Sequence, residues 1–215
     1  MKILKKFWLL VALCMAIVAF NACDNEPDLP IGDPTVEIGV EIDGIVWATR
    51  NVGTPGTFAA RPESAGMFYQ WNRRTAWSSS GSISDWDASP AEGTEWEAEN
   101  DPCPSGWRVP TRDELNSLRL LPESRRAWIT VNGVEGKRFG CDNHNIFLPA
   151  AGYRGNRYGM LLAQGREKAG AYWSSTERGS SHPEHAVELF FQRARVVMFV
   201  NYHRAFAYPI RCVRK

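Results

Sequence analysis

The chain has no internal repeat, no CxxC or HxxxH spacing, and only four histidines in 215 residues. Those missing spacings remove the ordinary zinc sites, whose ligands recur at short fixed intervals. No G-x-S-x-G phrase occurs, so the nucleophile elbow of serine hydrolases is missing too. Positive charge is not in excess. With 25 Lys and Arg against 24 Asp and Glu, the net charge is +1. Such a balance argues against a nucleic-acid partner, because phosphates are held by a concentrated basic surface. The uncharged apolar run from Phe7 to Phe20 is short of the about 20 residues a spanning helix needs.

What is present begins with that run. It follows Met1-Lys2 and Lys5-Lys6 and leads into small residues. A basic stub, a short apolar core and a cleavable end make a secretory signal over residues 1–22. Cys23 closes the phrase FNAC, which resembles the lipobox of bacterial lipoproteins in the looser form of Bacteroidetes-type members. The resemblance implies lipidation of Cys23. The acidic Asp24-Asn25-Glu26 resembles the tag that sends such lipoproteins to the outer surface, so the implied location is the outer membrane, lipid-anchored and exposed at the cell surface. Three prolines and four acids between residues 24 and 36 read as an extended, solvated tether, placed over 23–37 with the lipidated cysteine. Residues 38–215 are then one domain, long enough for a proper core.

Five cysteines are counted. Cys14 lies in the signal, and Cys23 is the lipid candidate. Of the three left in an oxidising setting, Cys103 and Cys212 lie in strongly patterned segments and are expected to form a disulfide. Cys141 is expected to be a buried thiol.

Elements can be read from local chemistry. VEIGVEIDGIVWATRNVG alternates around Gly44 and predicts two short antiparallel strands. Thr111 and Glu114 form a T-x-x-E capping box between Pro110 and Pro122, predicting a helix over about 111–121 that buries Leu115 and Leu118. Asn132-Gly133 between two β-branched runs predicts a hairpin. The last third reads as strands, and residues from GMFYQW to about 100 as irregular loops. A single helix between strand-rich ends points to an α+β class.

Several phrases together resemble the Fibrobacter succinogenes major paralogous domain: GIVWATRNVG, GMFYQW, DPCPSGWRVPTRDEL, FLPAAGYR, AYWSST and IRCVR, in that order across residues 38–215. That family is similar to the formylglycine-generating-enzyme branch of the C-type lectin fold. The resemblance implies paired N- and C-terminal strands carrying long irregular loops. The tail from YWSST to RCVR also resembles the lectin-type domain of variable proteins diversified by retroelements, in which Glu177 to Tyr208 would be the variable surface.

Activity is not carried over from the resemblance. The formylglycine-generating enzymes work with a cysteine pair near the C-terminus, and here Cys212 stands alone. Ser174, Ser175 and Thr176 could serve as nucleophiles with His182, His185 or His203, but the flanking pattern makes them the end of a strand. Alternation puts Tyr172 and Ser174 on one face and Trp173 and Ser175 on the other.

The expected function is therefore ligand binding without catalysis, the ligand being a glycan or a surface protein. An enzyme on the same scaffold and a structural subunit of a surface complex are the alternatives. Arg193, Arg195, Tyr202, His203 and Arg204 have the arginine-aromatic composition of binding hot spots. Trp77 and Trp86, with Trp96, recur in the loops; one or two left exposed would make a stacking platform. Seven acids between Asp85 and Asp101, with no Lys or Arg among them, make Asp85 and Asp87 the first residues to consider as calcium ligands. The EPN and WND phrases of sugar-binding lectins are missing from the domain. His182 and His185 stand three apart around Pro183, which reads as a surface loop.

Overall fold

The computed structural model describes residues 37–179 and 181–215. The signal over 1–22, Cys23 and the tether to residue 36 lie outside the described residues. Among the described residues no helix is long and apolar enough to cross a membrane. Glu37 already belongs to the folded body, where its carboxylate accepts from Thr49 N and Arg50 Nε at 2.9 Å each.

In chain order the elements are β1 (Val40–Ile42), β2 (Ile45–Trp47), β3 (Phe68–Gln70), β4 (Ala76–Trp77), β5 (Trp107–Arg108) and helix α1 (Arg112–Leu120). Then follow β6 (Arg126–Val131), β7 (Val134–Cys141), β8 (His144–Pro149), β9 (Tyr153–Arg154) and β10 (Leu161–Leu162). The chain closes with β11 (Gly170–Glu177), β12 (His185–Gln192), β13 (Arg195–His203), β14 (Ala207–Tyr208) and β15 (Val213–Arg214).

The two ends meet in one antiparallel sheet ordered β1-β2-β15-β5, with Val213 opposite both Trp47 and Arg108. The expected terminal pairing is present. The Cys103–Cys212 disulfide closes the same seam across a sequence separation of 109 residues. Cys141 is free but only half-buried, because it lies at the end of β7 opposite His144, where the hairpin leaves the core. The expectation of a buried thiol is corrected there.

Local chemistry explains the regular pieces. Thr111 Oγ1 accepts from Glu114 N, and Glu114 returns the bond to Thr111 N at 2.7 Å, so the predicted capping box is formed. Arg108 clamps the same carboxylate with two bonds of 2.8 and 2.6 Å. Leu115, Leu118 and Leu121 face inward, while Leu120 is exposed. Asn132 and Gly133 have φ of +47° and +82° and join β6 to β7 by a two-residue turn of the primed kind.

The sheet β11-β12-β13 divides the interior. Tyr172, Leu189 and Phe191 enter a core beneath α1 with Trp47, Leu118, Phe139 and Leu148. Trp173 and Phe190 enter a second core with Tyr69, Trp71, Trp107 and Tyr208. A strand covered on both faces needs apolar residues at successive positions, which is why HAVELFF runs without strict alternation.

Candidate functional site

Two of the three hydroxyls of AYWSST, those of Ser174 and Thr176, are bound into the scaffold. They lie on β11, and Ser174 is fully buried with its Oγ donating to Val187 O at 2.8 Å. Thr176 Oγ1 accepts from Arg112 N at 3.0 Å, tying the strand to the start of α1. Ser175 N donates to Pro110 O at 2.7 Å.

The arginine-aromatic group expected near the C-terminus is spread over three places. Arg193 and Arg195 lie at the tip of the β12–β13 hairpin, whereas Tyr202 and His203 lie at its far end. Arg193 is exposed, donates to Glu135 Oε1 at 2.9 Å and sits over the Trp128 ring at 5.3 Å. Arg195 donates to Gln192 and covers Phe190. Tyr202 joins a half-buried ring cluster with Phe199 and Phe206.

Arg204 departs from the expectation altogether. It is buried, lies 4.0 Å from the Trp71 ring, and donates to Ala91 O, Gly93 O and Glu177. A guanidinium has five donors in a fixed fork, so it can stitch backbone carbonyls that no sheet satisfies. Burial holds its pKa below the usual arginine value.

The acidic loop is likewise tied up locally. Asp87 pairs with Arg73 and accepts from Ser89 N at 2.9 Å and Ser89 Oγ at 2.7 Å. The Ser89 bonds, and then Arg73, lower its pKa to about 2. Asp85 accepts from Ser84 Oγ at 2.8 Å. The cation beside Asp87 is thus a side chain of the chain itself.

A more suggestive surface lies where two loops meet. Arg154, 1 % exposed on β9, donates to Ser78 O (2.7 Å), Ser80 O (3.0 Å), Gly81 O (3.0 Å) and Gly159 O (2.6 Å). One guanidinium therefore fixes both the 78–81 loop and the 155–160 loop. Trp86 donates to Asn156 O at 2.8 Å and its ring lies 4.9 Å from that of Trp77. Gly159, at φ +62°, lets the second loop come so close that a Cβ would lie 2.6 Å from both Ile83 and the Trp86 ring. Trp77 and Trp86 are half-buried supports, and Trp96 is buried in the core.

On this rigid base three large apolar side chains face water: Tyr158 is 70 % exposed, Met160 64 % and Leu162 40 %. Beside them is a groove of about 380 Å³ lined by Ser82, Ile83, Tyr158, Met160 and Leu161, with Arg154 among its walls. Sequence reading reached Trp77 and Trp86 but missed Arg154 and the apolar trio. The detectable signal was YGMLL, an apolar run beginning inside a Gly/Asn-rich loop.

One buried group stands apart. Glu188, fully buried on β12, has neither carboxyl oxygen in a hydrogen bond. Tyr208 Oη neighbours the same carboxyl but also makes no bond of good geometry. Burial pushes the Glu188 pKa up to about 8, so the group is mostly neutral at pH 7.

No curated protein and no solved structure matches the chain. The model of the Fibrobacter succinogenes major domain matches residues 40–214, nearly the whole described body from β1 to β15. On that match, the chain belongs to the Fibrobacter succinogenes major domain family.

Proposed function

We propose that this chain is a non-catalytic binding domain of C-type-lectin-like fold, carried at the cell surface on a lipid anchored through Cys23. Its ligand is a protein, gripped at the groove between the 78–86 and 155–162 loops. The single observation behind this reading is the exposed trio Tyr158, Met160 and Leu162 on a loop that Arg154 holds rigid. Exposed apolar side chains grouped beside a groove mark interaction surfaces on soluble bodies. A preformed loop also avoids the ordering cost that a mobile one would incur on binding.

The fold assignment rests on the paired terminal strands, the single helix and the long irregular excursions. A glycan is the second reading, favoured by the half-buried Trp77–Trp86 pair next to the groove.

The test is an array of envelope proteins, host surface proteins and glycans probed with the full chain and with a Tyr158→Ser/Met160→Ser variant. Binding to a protein that falls at least about tenfold in the variant supports the reading. Both residues are exposed, so stability should stay within about 0.5 kcal/mol. A protein hit that the variant binds equally well would move the site elsewhere, and hits confined to glycans would favour the second reading.

A further inference from the structure

We propose that His182, Glu184 and His185 form a binding site for a divalent transition metal of the zinc or nickel class, at the connection between β11 and β12. Pro183, which marked a surface loop in the sequence, is the residue that assembles the site. Pro183 fixes φ near −65° and suits the second position of a β-turn. The turn is closed by His185 N donating to His182 O at 3.0 Å. Folding back in this way sets both imidazoles on either side of Glu184.

The distances fit a metal. His185 Nδ1 is 3.2 Å and His182 Nδ1 3.6 Å from Glu184 Oε1, and one ligand atom from each residue lies within 4.8 Å of the other two. With metal–ligand bonds of about 2.0–2.1 Å, ligand atoms of a tetrahedral site stand about 3.3 Å apart. Two of the three separations already straddle that value. The remaining edge closes by rotation of the His182 ring, whose side chain is 44 % exposed.

The donor set selects the ion. Two imidazoles and one carboxylate suit zinc, nickel, cobalt or copper, whereas calcium and magnesium want more oxygens than this turn offers. His185 Nδ1 is buried and makes no hydrogen bond, although Glu184 is beside it. Two acceptors facing one another repel unless a proton or a cation sits between them. His203, opposite His185 in the β12–β13 register, uses its Nδ1 to accept from Ala205 N at 3.2 Å. It therefore borders the site without completing it. With the three ligands partly exposed, a fourth position faces solvent and can take water or a donor from a bound partner.

Isothermal titration of Zn²⁺ into the full chain, purified without a histidine tag, tests the site. One equivalent should bind with a Kd of about micromolar order. His182→Ala and His185→Ala each remove a direct ligand and should weaken binding at least about tenfold, the lower end of what loss of an outer-shell partner alone costs. His144→Ala, at the distant β7–β8 turn, should bind as the parent does. Cobalt(II) should give the intense visible bands of a tetrahedral site, lost in His182→Ala. The His182 side chain is 44 % exposed and outside both cores, so that variant should keep the native near-UV circular dichroism. Absence of one-equivalent binding, or binding that neither histidine variant weakens, would overturn the proposal and leave a histidine–glutamate ion pair.

Discussion

Two buried ionisable groups, Arg211 and Glu188, are treated in opposite ways. Arg211 sits at the seam where the chain ends meet, fully buried, and donates to Asn51 Oδ1 (3.0 Å), Ala48 O (3.0 Å) and Phe147 O (2.9 Å). Asn51 and Tyr172 extend this network to Ala65 O and Pro149 O. Desolvation lowers the Arg211 pKa only to about 10, so it stays charged at neutral pH. Glu188 is as deeply buried but lacks hydrogen bonds, and it is neutralised by taking up a proton. Burial of an ionisable group is tolerated either by saturating its bonds or by discharging it. The seam uses the first route and the aromatic pocket around Tyr208 the second.

The sharpest way to break the seam is to remove its covalent link. A Cys103→Ser/Cys212→Ser variant should lose about 4 to 5 kcal/mol on the chain-entropy model for a loop of this length, read as a lower denaturant midpoint. An unchanged midpoint would mean that the strand pairing alone holds the ends. Arg211→Met should cost at least about 3 kcal/mol, since Ala48 O, Phe147 O and Asn51 Oδ1 would be left without their donor in the interior. A loss below about 1 kcal/mol would show that the network is dispensable.

The third comparison concerns Glu188. Its folded pKa of about 8 lies above the ordinary carboxyl value, so the native state binds a proton that the unfolded chain has released. The stability this gives is fully present below about pH 4.5 and is lost as pH rises toward 8, at up to roughly 1.4 kcal/mol per unit. Glu188→Gln cannot titrate and should flatten that slope, leaving the variant more stable than the parent at pH 8. Melting curves across pH 5–9 would reveal it, and parallel parent and variant profiles would refute the assignment.

Much of the scaffold was legible because its signals are local. The helix follows from Thr111 and Glu114, the β6–β7 hairpin from Asn132-Gly133, and the strand at AYWSST from the alternation along it. Arg204 shows where legibility stops. Its sequence neighbours, Tyr202 and His203, suggested a surface, yet its side chain turns inward because Ala91 O and Gly93 O, over a hundred residues away, need donors. The apolar trio was passed over for the converse reason: an exposed Met160 has the same letter as a buried methionine. His182 and His185 read as unrelated until the Pro183 turn folded them together.

The meeting of the two ends was implied by the family resemblance, whereas periodicity, caps, turn pairs and cysteine placement by themselves determined the helix, the hairpins and the bridge. These depend on bonds within a few residues or on apolar residues that must leave water wherever they sit. Which arginines became interior clamps, which loops were pinned into a groove and which histidines came to share a carboxylate were decided only by the tertiary structure. Those outcomes depend on unsatisfied carbonyls and donors supplied from distant segments, whose positions exist only after the chain has folded.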